Sequence, residues 1–339
     1  MLVTYIRSSS YNNYAYCQMQ YFITYVLGHQ PDSGKKAELG TIVHKVLEVL
    51  AKLKKYQQDN PKKLTLSIDD DALKSISVKK NAFLKSTTVE DISSQSLDFY
   101  TGGSKHHFTK GDKDLCSKLV WDTLKYNEGQ FDPRYRKIVA AEPHFDIPID
   151  EDWAFYEYEV NGEKVKGQLA IKGTIDLVTE TDDGIIEVID WKTGRRLDWA
   201  TGEEKTYDKL CVDPQLLLYN YAISKLFPEY KQSIMSIFFI KDGGPFSMCF
   251  DKSDETKFLA MLKDRFMDIK RNELPKPISA NRENWKCTKL CHYCKHKWPE
   301  TDQNMCIYIE NSIKTHGMEQ TIKDCTRPGF NIGFYSAPG

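Results

Sequence analysis

The stretch from Gly173-Thr174-Ile175-Asp176 to Asp190-Trp191-Lys192-Thr193-Gly194 constrains this chain more than any other. Folded about Asp183, it makes Asp182-Asp183-Gly184 a three-residue loop with glycine in the last position, a favoured hairpin connection. Residue 181 then faces 185, and counting back along both arms sets Asp176 opposite Asp190. Side chains alternate along a strand, so Asp190 and Lys192 share one side. That side carries two acids and one base beside an otherwise apolar run, Ile186 and Val188. Two carboxylates flanking one point can hold a divalent cation through hard oxygen ligands. A neighbouring lysine can orient a water or neutralise charge developing on a phosphate. The simpler alternative is a surface hairpin with scattered charge. Against it, the apolar neighbours suggest a half-buried face, where carboxylates are costly unless paired or metal-bound.

The chain has 339 residues, room for one large domain or two ordinary ones. With 40% hydrophobic and 28% charged residues, it reads as soluble and globular. No run of apolar residues is long enough to span a bilayer. The first residues, Met1-Leu-Val-Thr-Tyr-Ile-Arg7, lack a secretory pattern, so an intracellular location is the expectation. A net charge of −1 announces no polyanionic partner, although positive charge can concentrate locally. Lys192, Arg195 and Arg196 are one such concentration beside the candidate metal site.

Residues 11–28 read as a short aromatic-rich helix around Cys17 that stops at Gly28. Residues 38–56 read as an amphipathic helix, with Val43, Val46, Leu47, Leu50 and Leu53 at helical spacing. Residues 57–130 are polar and read as helices with loose connections. Strand patterns then run through 137–148, 153–160, 164–171, 173–180 and 185–192. A helix is expected at 212–227 after Asp213-Pro214, strands at 232–240 and 246–250, and a helix at 253–271. The tail from about Pro275 is cysteine-rich and ends in an unpatterned Gly/Pro segment. The expected fold class is α/β, a mixed and mainly antiparallel sheet covered by helices. The expected segments are a helical N-terminal region (1–136), a central core (137–274) and a cysteine-rich tail packing back on the N-terminal region (275–339).

Three further features join the hairpin. His44 follows Gly40 on the 38–56 helix, where a histidine alone is more often a residue at the edge of the core. Gln215 and Tyr219 are four apart and share a helix face, which alone is a polar edge. Glu142 sits in a strand-like run and alone says nothing. Together, Gly40-x3-His44, Gly173-x2-Asp176, Asp190-x-Lys192-Thr193-Gly194 and Gln215-x3-Tyr219 resemble the PD-(D/E)XK nuclease superfamily. The likeness is closest to the RecB-type nuclease domain shared with AddB and the CRISPR-adaptation exonucleases. It spans roughly residues 10–306. Asp190 stands where many relatives carry Glu.

The resemblance implies a restriction-endonuclease-like core and DNA cleavage with one or two Mg2+ or Mn2+ ions. It implies that Asp176, Asp190, the Trp191 carbonyl and His44 bind metal. Lys192 would position the attacking water, and Gln215 and Tyr219 would contact DNA or steady the lysine. Exonuclease action on single strands or ends, a role in recombination, repair or phage DNA metabolism, and a helicase or recombination partner rest on the resemblance alone. An endonuclease, an RNA nuclease or a non-catalytic nucleic-acid-binding subunit stay open as alternatives.

Of the nine cysteines, Cys116, Cys211 and Cys249 are scattered and read as ordinary thiols, whereas Cys287, Cys291, Cys294 and Cys306 are crowded together. In a reducing compartment such crowding points to metal rather than to disulfides. The segment Ser10–Gly28 is similar to the part of iron–sulfur RecB-type nucleases that supplies a first cysteine, here Cys17. That likeness implies a 4Fe–4S cluster on Cys17, Cys291, Cys294 and Cys306. The chain departs from the pattern in having Gln18 after the first cysteine, a long gap from Cys294 to Cys306, and the spare Cys287. A structural zinc on Cys287, Cys291, Cys294 and Cys306 is the competing assignment.

Overall fold

The computed structural model describes residues 1–160, 163–197 and 202–330. In chain order the first elements are β1 (Tyr5–Ile6), α1 (Ser8–Tyr16), α2 (Gln18–Tyr21), α3 (Lys35–Asp59), β2 (Thr65–Asp70) and β3 (Lys74–Lys79). Next come α4 (Ser86–Gly102), α5 (Lys110–Lys125), β4 (Lys137–Ala141), β5 (His144–Pro148), β6 (Phe155–Val160), β7 (Glu163–Gln168) and β8 (Ala170–Thr174). The rest are β9 (Leu177–Glu180), β10 (Ile186–Lys192), α6 (Tyr207–Cys211), α7 (Pro214–Leu226), β11 (Ser233–Phe239), β12 (Gly244–Phe250), α8 (Lys252–Arg271), α9 (His292–Lys295) and α10 (Met305–Cys325).

Two compact units form, each from separate pieces of chain. One unit takes Met1–Asp32, Phe145–Gly173 and the stretch that begins at Glu255; the other takes Ser33–His144 and Thr174–Asp254. These units interleave in sequence. Contacts between sequence-distant strands, which no local pattern reports, decide the grouping.

The second unit is built on a five-stranded sheet in the order β12-β11-β10-β9-β4. Only β10 and β11 run parallel; β12, β9 and β4 are antiparallel to their neighbours. This is the expected mixed, mainly antiparallel sheet. The hairpin register is also as expected. Ile186 pairs with Glu180 and Ile189 with Leu177, a register that carries Asp190 opposite Asp176. The loop closes through the Thr181 N–H donating to the Ile185 carbonyl (2.9 Å), and Gly184 adopts φ +76°.

Helix α3 exists because Leu39, Val43, Val46, Leu47, Leu50 and Leu53 recur on one face and all are buried. They pack with α4 and α5 against the sheet residues Ile138, Leu177, Ile189, Trp191 and Phe238. Ile189 and Trp191 therefore point into this core, and by alternation Asp190 and Lys192 point to the other face. Helix α7 serves that other face. It starts sharply because Pro214 is at its first position and the Asp213 side chain accepts from the Gln215 N–H (2.9 Å).

Two segments differ from expectation. Residues 65–79 form a hairpin, not helix, because Leu66, Ile68, Ile76 and Val78 alternate with polar residues and pair across it. Its turn is made by Asp70, whose carboxylate accepts from the Ala72 and Leu73 N–H groups, each at 3.0 Å. The cysteine-rich tail carries helix α10, capped by Asn304 accepting from the Ile307 N–H (2.9 Å). A non-helical Gly317 (φ +83°) interrupts α10, so no long amphipathic repeat marks it in the sequence. The Gly/Pro segment beyond residue 330 lies outside the described residues. No described helix is long and apolar enough to cross a membrane.

Candidate active site

The second unit brings the acids, the lysine, the histidine, the glutamine and the tyrosine singled out above into one hydrogen-bonded group. Asp176 enters from the bend before β9. Its Oδ2 accepts from the Trp191 N–H (2.9 Å), and its Oδ1 lies 3.4 Å from His44 Nδ1. His44 is delivered by α3 and stands edge-on to the buried Trp191 ring, with centroids 6.3 Å apart. Asp190 and Lys192, two residues apart on β10, meet directly: Lys192 Nζ is 2.6 Å from Asp190 Oδ2. The other oxygen of Asp190 accepts from Gln215 Nε2 (2.9 Å). Gln215 also donates to the Tyr219 hydroxyl (2.9 Å), which donates to the Thr174 carbonyl (2.9 Å). The one-turn spacing of Gln215 and Tyr219 thus makes a prop that runs from α7 to the carboxylate of β10.

Burial and charge push the two acids in opposite directions. Burial raises the Asp176 pKa, but His44, Lys192 and the Trp191 N–H overcome it and leave the group lowered. Burial also raises Asp190; the pull of Lys192 opposes this, the adjacent Asp176 adds to it, and the net shift is upward. For Lys192, burial disfavours the charge, yet Asp190 and Asp176 outweigh it and raise the pKa, so the ammonium is retained. His44 follows the same balance: burial works against the imidazolium, Asp176 favours it, and the net shift is upward.

The donor set suits a hard divalent cation: two carboxylates, with a backbone carbonyl and an imidazole at hand. Asp190 Oδ2 is buried, and the Lys192 ammonium is its one close partner among the described residues. Two buried carboxylates converging beside an imidazole are the feature that fits a metal here.

Gly40 has a steric reason. A Cβ there would lie 2.7 Å from Thr193 Oγ1, so glycine lets α3 approach the end of β10 and bring His44 with it. One turn beyond His44, Glu48 is buried and meets Lys45 Nζ (2.7 Å) and Lys52. Both lysines also reach Asp70, at 3.1 and 3.4 Å. Glu142 joins this group. Its backbone is left-handed (φ +52°), its N–H donates to the Asp176 carbonyl (3.1 Å), and its carboxyl shares a hydrogen bond with Glu48. Burial and the neighbouring Glu48 push the Glu142 pKa up to about 7. Sequence reasoning left Glu48 and Glu142 aside. The i, i+4 relation of His44 and Glu48 was the available signal.

In the first unit, Cys17, Cys287, Cys291, Cys294 and Cys306 line one small pocket that is partly open to solvent. Cys294 hydrogen-bonds both Cys291 and Cys306. Its donation lowers Cys291 to about 6 and also lowers Cys306, which Arg282 Nη2 approaches at 3.5 Å. Burial raises Cys17 to about 11, opposed by N–H groups of Gln20 and Ile278 directed at its sulfur. Among the described residues no three cysteine sulfurs lie within 4.8 Å of one another. Cys116 and Cys249 belong to the other unit, as does Cys211.

Comparison with known proteins gives one family. The family model of the PD-(D/E)XK nuclease superfamily matches residues 8–298. The solved structure of a candidate exonuclease from Eubacterium rectale is 12% identical, with 93% of this chain and 94% of that one covered, at a TM-score of 0.46. The solved structure of SSO0001 is 15% identical, with 76% and 92% covered, at a TM-score of 0.25. No curated protein matches the chain.

Proposed function

This chain belongs to the PD-(D/E)XK nuclease superfamily, and on that premise we propose that it is a divalent-metal-dependent DNA exonuclease acting on single strands or DNA ends. Its setting would be recombination, repair or phage DNA metabolism, with a helicase or recombination protein as partner. The observation that carries the proposal is the group Asp176, Asp190 and Lys192, closed by His44 and held by Gln215. Asp176, Asp190, His44 and the Trp191 carbonyl would hold the ion. The chemistry supplied by bound Mg2+ or Mn2+ is polarisation of the scissile phosphoryl oxygen and a lowered pKa for water.

The chain's own groups supply the rest. Lys192, whose charge Asp190 and Asp176 favour, would orient water and meet charge growing on the phosphate. Gln215 fixes one oxygen of Asp190 while Lys192 meets the other. Tyr219, with its pKa raised well above 10 by burial and by Asp190 and Asp176, stays a neutral phenol that donates to the Thr174 carbonyl.

The test is digestion of end-labelled single- and double-stranded DNA in Mn2+, with EDTA controls. Asp190→Asn and Lys192→Met are expected to lose cleavage by about a thousandfold while remaining folded. Full activity in either variant would overturn the site. Cleavage of circular single-stranded DNA as fast as linear would replace the exonuclease with an endonuclease.

The cysteine cavity supports a 4Fe–4S cluster on Cys17, Cys291, Cys294 and Cys306. A tetrahedral zinc holds sulfurs about 3.8 Å apart at Zn–S bonds near 2.3 Å. A four-iron cluster interposes its own atoms and would need the thiolates to move apart; what supports it is that Cys17, remote in sequence, lines the same pocket as Cys291, Cys294 and Cys306. Stoichiometric iron and sulfide after anaerobic purification are expected. A colourless protein with stoichiometric zinc, lost on Cys287→Ser but kept on Cys17→Ser, would assign the zinc alternative.

A further inference from the structure

We propose that Asp32, His292 and His296 form a separate cation site, with Zn2+ as its ion, in the first unit. The three side chains bring one carboxylate oxygen and two imidazole nitrogens within 4.8 Å of one another. The two imidazoles stack with centroids 3.8 Å apart and planes 23° from parallel, so they must tilt apart for their nitrogens to converge on one ion, with ligands about 3.3 Å apart around a tetrahedral zinc at bonds near 2.0–2.1 Å. Two imidazoles with one carboxylate select a borderline d-block ion over Mg2+ or Mn2+, which prefer oxygen. Water would complete the fourth position.

The backbone around these groups is held independently of any ion. His296 Nδ1 lies 2.9 Å from the His292 carbonyl, to which it can only donate. That bond fixes the tautomer with the Nε2 lone pair free to face a metal, the usual support for a ligating histidine. The His296 backbone is tied by its N–H to the His292 carbonyl (3.0 Å) and by its own carbonyl to the Met305 N–H (2.9 Å). The loop that carries Asp32 is tied at His29, whose carbonyl accepts from the Tyr293 hydroxyl (2.5 Å) and whose ring reaches the Cys325 carbonyl (2.8 Å). Tyr293 follows His292 in the chain, so the loop and the histidines share one anchor. Lys295 and Lys297, which flank His296, are turned onto the Lys289 carbonyl and Asp302. Nothing in the nuclease chemistry uses these residues. Because His292 lies between Cys291 and Cys294, an ion here would staple the 29–32 loop to the segment that lines the cysteine cavity.

The experiment is a Co2+ titration of the full chain, purified anaerobically, in excess Mg2+. One equivalent of Co2+ should bind with a weak visible d–d band and no thiolate charge-transfer band, be displaced by Zn2+, and raise the unfolding temperature. His296→Ala should weaken Co2+ binding by about tenfold to a hundredfold, and Asp32→Asn by a smaller factor in the same direction. Asp176→Ala should leave the band unchanged, which separates this site from the nuclease site. The proposal fails if no equivalent binds, if His296→Ala leaves the titration unaltered, if the band disappears with Asp176→Ala, or if it carries thiolate charge transfer.

Discussion

Glu142 offers a quantitative test of the electrostatics beside the candidate site. Its pKa rises from 4.5 to about 7, first through burial and then through the hydrogen bond and charge of Glu48. An acid whose folded pKa exceeds its unfolded one binds more protons when folded between the two values. Stability therefore falls as pH climbs through that window, from about 4.5 to about 7. The full loss converts at about 1.4 kcal/mol per pH unit to an upper bound of about 3 kcal/mol. Glu142 is half-buried, and solvent screening with Lys45 and Lys52 nearby reduces the expected penalty to about 1–2 kcal/mol. Glu142→Gln keeps a donor for Glu48 and removes the charge. It should be more stable than the wild type by about 1–2 kcal/mol at about pH 8 and no more stable at about pH 4, in urea unfolding followed by tryptophan fluorescence. A difference that does not change with pH would refute the shared-proton pair, and a variant less stable than wild type at about pH 8 would show that the carboxylate is wanted in its charged form.

Two other substitutions probe the site's construction. Gly40→Ala places a Cβ 2.7 Å from Thr193 Oγ1 and should cost about 1–3 kcal/mol of stability, most of it regained in the Gly40→Ala, Thr193→Ala double variant; equal losses in both would mean that α3 and β10 do not press together here. Gln215→Leu removes the donor to Asp190 Oδ1 and should lower cleavage on the order of a hundredfold with an unchanged circular dichroism spectrum, whereas an undiminished rate would remove Gln215 from the support of Asp190.

The hairpin of β9 and β10 was legible because each step in it is local. A glycine that can adopt a left-handed conformation fixes the loop, the loop fixes the register, and alternation fixes which side chains share a face. Helix α3 was legible through its apolar repeat, and α7 through Asp213-Pro214. The pairing of Gln215 with Tyr219 followed from spacing, but the target of the prop, Asp190, did not, since it depends on which face of the sheet α7 covers. Residues 65–79 were misread because two six-residue strands give too few alternations to stand out from a polar background. Helix α10 was missed because its break at Gly317 leaves no sustained periodicity. The Glu48–Glu142 pair was invisible for a third reason: its members lie on different elements, and only the fold makes them neighbours.

The charges at the candidate site explain how a pocket with two acids is tolerated beside a packed core. Each carboxylate faces a basic group of the same unit, Asp176 the His44 ring and Asp190 the Lys192 ammonium. Removing one member leaves a buried charge uncompensated, which costs more than the pair contributes when intact. Loss of Lys192 therefore acts twice, once on the chemistry and once on Asp190, whose raised pKa would rise further toward the neutral acid. Lys192→Met and Asp190→Asn are for that reason best read together. If the double variant is more stable than Lys192→Met alone, the lysine's structural share is the neutralisation of Asp190. The activity lost in the double variant then measures the chemistry without that electrostatic cost.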